Sequence, residues 1–418
     1  MDILSWARDV VNPADIPDSL RPPVLSICVP TFNRARYLDC LLADLVAHIG
    51  ELGYSYELLI GDNASEDDTA AVVRKYEGQL AIRYIRRPEN VGSYHNLSQL
   101  FGAAQGRYII YLADDDLLIP SALGLHIAYL ETNPDVGAVF APWFLHDRVT
   151  GEDFDQFYSL EHETRIAARD HGTLFDLLVN GHIFPEIYVA RTALMREVAI
   201  GVSPFSYFFF VQTAGLVDRS AVTFRPEPFY RFVTRYFDNE ERTQSGNEEV
   251  KIGWDRYRGG LEYILSRVAH LLDEHNLAWC RRAIEHFVDA RMQVALRLRT
   301  RDGKDWIDNY YIANRLRCVG NDSLLAAPYE TYRINAAWEY LLGLQPFYPE
   351  PATVGYNLDD PPQILTQAHG FSTETFAKHA DRSKPFPENV ILLTSREPAT
   401  PGSARFAISE AELMAKFP

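Results

Sequence analysis

The chain has 418 residues, enough for two or three domains at the usual roughly 100–200 residues each, and its 47% hydrophobic content can fill a core. Its 57 acidic residues against 40 basic ones leave a formal charge of −17, which opposes general attraction to nucleic acid or to an anionic membrane. No apolar run approaches the roughly 18 residues of a membrane span, the start MDILSWARDVV is acidic where a signal peptide is basic, and Cys28, Cys40, Cys280 and Cys318 form no CxxC pair, so a soluble, cytoplasmic protein with free thiols is expected.

Residues 1–23 read as an N-terminal extension. VLSICVP, 24–30, is a short β-rich run closed by Pro30, and Tyr37, Leu38, Leu41, Leu42, Leu45, Val46 and Ile49 then recur at helical spacing, predicting a helix over 34–49. A second strand is expected at 56–61. It is followed by DNASEDDT, where Ser65 and Asp68 resemble a capping box opening a helix through about Tyr76. LAIRYIRR, 80–87, is a third strand, SYHNLSQLFGAAQG a helix, and YIIYLA a fourth strand. Alternation of this kind implies βαβ units, an α/β class and a mostly parallel sheet with helices on both faces.

In open parallel sheets ligands bind beyond the carboxyl ends of the strands. Those ends carry PTFNR (30–34), GDNAS (61–65), RPENVGS (87–93) and ADDD (113–116), all polar. The trio Asp114, Asp115 and Asp116 is tolerable at a core edge only with water, a cation or strong donors nearby. From the tripeptide alone a divalent metal and a solvated turn both stay open. GxGxxG after the first strand and GxxxxGK[ST] are both absent, so a diphosphate bound here needs another counter-charge, and Mg²⁺ or Mn²⁺ shared between carboxylates and phosphates supplies one. An EF-hand is excluded at DNASEDD, which lacks the sixth-position glycine and the acidic twelfth ligand.

The ordered set VLSICVPTFNR, ELLIGDNASEDDT and RPENVGSYHNLSQLFGAAQGRYIIYLADDD resembles the nucleotide-binding half of a GT-A glycosyltransferase of family 2, over residues 24–145 and more weakly over 170–235. The resemblance implies a nucleotide-sugar donor, a divalent metal and a hydroxyl acceptor that is a glycan, lipid-linked or other. It places Pro30, Thr31 and Asn33 along the nucleoside, Asp62 and Asn63 at the base edge, and Asn90 with Gly92 in a turn shaping the pocket. The aspartates become a DxD-type motif, with Asp115 on the metal, Asp114 near the ribose and Asp116 beside them. Each position also has a plain structural role: Pro30 and Asn33 as strand end and helix cap, Asp62 as turn former, Asn90 and Gly92 as turn chemistry.

The acceptor half, 146–236, follows the family's layout in GHIFPEIYVAR and its continuation to PEPFYRF. Where many relatives carry an acidic pair this chain reads PFSYFFFVQ, so a catalytic base must come from Glu186, His182 or Asp218, or be lacking. Polar 237–249 reads as a lid or linker, 250–345 as a helical domain suited to an oligomer interface, and 346–418 as a proline-rich tail with ENVILLTS as its one clear strand. The expectation is an inverting, metal-dependent glycosyltransferase. Its rivals are a catalytically weak sugar-nucleotide-binding scaffold and a nucleotidyltransferase.

Overall fold

The computed structural model describes residues 22–198, 203–238, 250–344, 353–357, 376–379, 390–394 and 406–418. The extension up to residue 21 and residues 239–249 of the expected lid lie outside them. Two compact units are present: one runs to Thr243 and takes in Arg256–Ile284, the other comprises Gln244–Asp255 and Glu285–Pro418.

The first unit begins as the apolar runs dictate. Strand β1 (Leu25–Thr31) leads through helix α1 (Ala35–His48) to β2 (Tyr56–Asp62), then α2 (Thr69–Tyr76), β3 (Ile82–Arg86), α3 (Ser93–Ala103) and β4 (Tyr108–Tyr111). Residues on α1 that recur at helical spacing, Leu38, Leu41, Leu42 and Leu45, are its buried face. After β5 (Leu117–Leu118) come α4 (Pro120–Thr132), β6 (Val136–Phe140), β7 (Phe144–Asp147), β8 (Glu152–Gln156), β9 (Thr164–Ile166) and α5 (His171–Gly181). The unit continues with β10 (Tyr188–Arg191), α6 (Thr192–Val198), α7 (Phe208–Val217), β11 (Ala221–Phe224) and β12 (Tyr230–Arg235).

The main sheet has eight strands in the order β3-β2-β1-β4-β10-β6-β11-β9. β1 pairs in parallel with β2 and β4, and β2 with β3, while β10 runs antiparallel to both β4 and β6. The central strands are near-continuous apolar runs because both faces are covered: Ile27, Cys28, Val29, Leu58, Leu59, Ile109 and Ile110 are all fully buried. The chain proceeds from β1 outward to β3, then returns to the other side of β1 as β4. That reversal is a topological switch point, where a crevice opens at the carboxyl ends. A second sheet, ordered β5-β12-β7-β8, brings β12 back beside the segment that follows β4.

Close backbone contact holds β1 against β4. A Cβ on Gly106 would lie 2.5 Å from the Ser26 nitrogen and 2.7 Å from the Leu25 carbonyl carbon, so no other residue fits there. The expected capping box is not formed. Helix α2 begins at Thr69, whose N–H is taken by Asp67, while the Ser65 hydroxyl accepts from the Asn33 N–H across the rim. Residues 256–265, expected in a separate helical domain, belong to this first unit, where the Tyr257 ring meets Phe184, Tyr207 and Phe210.

The second unit contains the helices Trp306–Cys318 and Tyr329–Gly343, and the Arg299 guanidinium is buried there against Asn309 and Asp308. Its C-terminal segment holds more regular structure than the sequence pattern suggests. Thr353–Asn357, Phe376–His379, Val390–Thr394 and Phe406–Ser409 form a four-stranded, wholly parallel sheet. Among the described residues no helix is long and apolar enough to cross a membrane.

Candidate functional site

The switch point places Thr31, at the end of β1, directly against the residues that follow β4. The Thr31 hydroxyl donates to Asp114 Oδ2 at 2.6 Å. Burial and the neighbouring Asp115 carboxylate push the Asp114 carboxyl up to about 7, against the favourable Thr31 hydrogen bond and the Arg34 charge. Asp115 turns the other way and forms an ion pair with the Arg34 guanidinium. Asp116 turns inward: its Oδ2 accepts from the Tyr230 hydroxyl at 2.8 Å and its Oδ1 from the Val233 N–H at 2.9 Å. The same Tyr230 oxygen accepts from the Ala113 N–H at 3.2 Å. The three aspartates, expected to act together, therefore divide the work, because consecutive residues leaving a strand point in different directions. Asp114 is tied to β1, Asp116 ties the loop to β12, and Asp115 carries a cation.

The neighbouring loop is organised in the same manner. Asp62 is fully buried, accepts from the Ser65 N–H at 2.8 Å and also from the Tyr84 hydroxyl, and lies 3.7 Å from Arg86. Burial first, then this carboxylate, raises the Tyr84 phenol above its ordinary range. Asn63 bridges to the next loop, donating to Asn90 Oδ1 at 2.8 Å and accepting from the Val91 N–H at 2.9 Å. Asn90 also accepts from the Gly92 N–H at 2.9 Å, the arrangement of an Asx turn. Asn33 adopts φ 52° and accepts from the Glu66 N–H at 2.8 Å. Pro30 is half-buried opposite Gly61. Hence Asn33, Asn63 and Asn90 cross-brace three loops of one rim, Asp62 fixes the middle loop to itself and to β3, and Thr31 bonds to Asp114.

In the part of the unit that follows β6 the reversed strand β10 is decisive. Because β10 pairs antiparallel with β4, with Ala190 opposite Ile109, the residues that precede β10 reach the same rim as those that follow β4. Continuing that register puts Glu186 near Ala113. The Tyr111 phenol, raised chiefly by desolvation, is also held up by Asp116, Asp115, Asp114 and Glu186, so the four carboxylates share one neighbourhood. Glu186 accepts a hydrogen bond from the Tyr207 hydroxyl. Tyr207 is buried in an aromatic cluster, 5.1 Å from the Phe210 ring, 4.9 Å from Tyr257 and 5.9 Å from Phe184.

The other two acceptor-side candidates are placed differently. Asp218 caps the far end of the ten-residue α7 (Phe208–Val217), about 15 Å along the axis from Tyr207, and precedes β11 at its amino end. It accepts from His171 Nε2 at 2.7 Å and from both Arg267 Nη2 at 2.9 Å and Nε at 3.1 Å, a charge-paired cluster. His182 is an exposed left-handed C-cap of α5, with φ 45°. Sequence reasoning also passed over three participants. Arg34 closes PTFNR, Tyr207 lies inside PFSYFFFVQ and Tyr230 inside PEPFYRF, but their partners are 81, 21 and 114 residues away.

Among the described residues, no group of three or more His, Cys, Asp or Glu side chains converges to enclose a metal. The oxygen donor that fits one is Asp115, whose carboxylate already neutralises a cation. A hard divalent ion held there takes its remaining ligands from phosphate and water, as such ions commonly do.

Residues 26–176 match the Glycosyl transferase family 2 model. The chain is 42% identical over 240 residues to chondroitin synthase of Pasteurella multocida, a match covering 56% of this chain and 23% of that protein. Over 171 residues it is 28% identical to an abequosyltransferase of Salmonella typhimurium, covering 40% of this chain and 47% of the relative. The solved structure of S. aureus TarS 1–349 in complex with UDP-GlcNAc overlaps 82% of this chain and 83% of its own, at 15% identity and a TM-score of 0.44. The chain thus spans less than half the length of these two sequence relatives.

Proposed function

Residues 26–176 of this chain belong to glycosyl transferase family 2, and on that premise we propose that the protein transfers a sugar from a nucleotide diphosphate sugar to an acceptor hydroxyl. The observation that carries the reading is the antiparallel pairing of β10 with β4, which brings the segment holding Glu186 to the rim where the aspartates follow β4. Relatives named for sugar transfer support it.

In this reading the β1 and β2 rim loops receive the nucleoside, with Thr31 and Asp114 as one fixed unit beside the ribose. Asp62 and Asn63 hold the loop that faces the base. Asp115 holds Mg²⁺ or Mn²⁺, which when bound supplies positive charge where negative charge develops on the leaving diphosphate. Glu186 takes the proton of the acceptor hydroxyl, oriented by the Tyr207 hydrogen bond. A single displacement assisted by one carboxylate base inverts the anomeric centre.

The test is a thermal-shift panel of UDP, GDP, CDP and dTDP sugars with and without Mn²⁺, because a ligand that binds only the folded state raises apparent stability. A metal-dependent shift for one donor is expected, lost in Asp115→Asn, followed by an inverted product whose configuration is read by NMR. No shift with any donor would refute the reading. The absence of a carboxylate from the PFSYFFFVQ stretch favours one second reading, a donor-binding scaffold. Binding without transfer to any acceptor in a broad screen would select it.

A further inference from the structure

We propose that Arg34, paired with Asp115, is a diphosphate-binding residue that exchanges the carboxylate for the donor's phosphates as the metal arrives. The inference rests on the donor-and-metal reading above. Its starting point is that the carboxylate best suited to a cation already carries the Arg34 guanidinium, with side chains 20% and 8% exposed. A divalent ion and a guanidinium repel each other, so for Asp115 to take the ion Arg34 must move.

The surroundings make that exchange a short one. Arg34 is the N-cap residue of α1, where the helix dipole disfavours a cation and favours an anion, and the first turn contains no acidic residue. Its side chain rests over the Tyr37 ring, 5.5 Å from the centroid, and Tyr37 is braced edge-on by Tyr236 at 5.0 Å. The guanidinium thus rests on a braced aromatic face beyond the carboxyl end of β1, and its planar donors match phosphate oxygens in a bidentate manner. Two couplings follow. Metal alone binds weakly, because it must break the Arg34–Asp115 ion pair. Metal and diphosphate together bind well, because the diphosphate receives the displaced guanidinium, and by linkage each strengthens the other equally.

The experiment measures Mn²⁺ binding to the full chain by the loss of the free-ion EPR signal, alone and with UDP or GDP, for wild type, Arg34→Gln, Arg34→Lys and Asp115→Asn. Arg34→Gln should bind Mn²⁺ alone more tightly, by about fivefold or more, while the gain on adding nucleoside diphosphate shrinks. Arg34→Lys keeps the charge on a flexible stem and should fall between, which preserves the test if the glutamine variant folds poorly. Asp115→Asn should lose the ion in every condition. Mn²⁺ affinity in Arg34→Gln equal to or weaker than wild type, with wild-type Mn²⁺–diphosphate binding intact, would overturn the inference and leave the donor reading standing. Wild-type protein that takes up neither Mn²⁺ nor diphosphate would overturn both.

Discussion

Replacing Tyr230 with phenylalanine removes one oxygen from the centre of the rim, and the structure sets the size of the effect. That oxygen donates to Asp116 Oδ2 at 2.8 Å and accepts from the Ala113 N–H at 3.2 Å, with Tyr230 2% and Asp116 3% exposed. A buried polar group left without its partner costs about 1–3 kcal/mol, more when charged. Two groups are affected, but Asp116 keeps the Val233 N–H at 2.9 Å, so a loss of about 2–4 kcal/mol is expected. Urea titration followed by tryptophan fluorescence reads this as a lower midpoint with an unchanged slope. Tyr129→Phe is the comparison: its hydroxyl donates to the exposed Glu163 at 2.9 Å and lies 3.3 Å from the hydroxyl of Thr223, both neutral or solvated partners, and its loss should cost about 1 kcal/mol. A Tyr230→Phe protein within about 0.5 kcal/mol of wild type would refute the claim that this hydroxyl organises the loop after β4.

Three further outcomes are expected. His126 is fully buried, with Nε2 bonded to the Glu227 carbonyl at 2.9 Å and Nδ1 facing Arg225, and desolvation drives it from 6.5 down to about 4. The unfolded chain therefore binds more protons between those values. Stability is complete above about pH 6.5 and falls by up to about 3 kcal/mol on acidification through pH 4, a dependence that His126→Gln should flatten in pH-resolved urea titrations. Tyr207→Phe removes the hydroxyl that bonds Glu186 and should slow transfer with donor affinity unchanged; Glu186→Gln should slow transfer by about a hundredfold to ten-thousandfold with donor affinity unchanged. Normal transfer by Glu186→Gln would exclude it as the base. Finally, Gly106→Ala forces β1 and β4 apart and should destabilise by about 1–3 kcal/mol or more, whereas Gly102→Ala, in open space on α3, should stabilise by roughly 0.5–1 kcal/mol; equal midpoints would contradict the packing described.

The nucleotide half was legible because each of its strands is a short buried run ending in a polar loop, and the rule for parallel sheets then brings Thr31, Asp62, Asn90 and Asp114 to one rim. What each does there was less legible. Asn33, Asp62 and Asn63 have the residue types expected of ligand contacts, and in the structure the Asn33 and Asn63 side chains also bond to neighbouring loops and Asp62 to Ser65 within its own loop, contacts set by burial and distance. The pairing of Asp218 with Arg267, 49 residues on, had no local signal in the sequence. The partnership of Arg34 with Asp115 depends on β1 and β4 being neighbours, which strand order alone supplies. In the C-terminal segment ENVILLTS stands out through its run of apolar residues, whereas Phe376–His379 and Phe406–Ser409 are four residues each, too short to show a period.

The reversed direction of β10 also bears on how such a protein diversifies. In the parallel half, everything that faces the donor lies downstream of a strand, and altering it disturbs the helix that follows. At β10 the order is inverted: the working segment lies upstream, between the end of α5 at Gly181 and the strand's first residue at Tyr188. Lengthening or shortening that turn re-aims Glu186 while leaving the pairing of β1, β2 and β4 as it is. On the proposed function, acceptor choice would then drift on a different clock from donor choice, with a few residues before one antiparallel strand as the adjustable part.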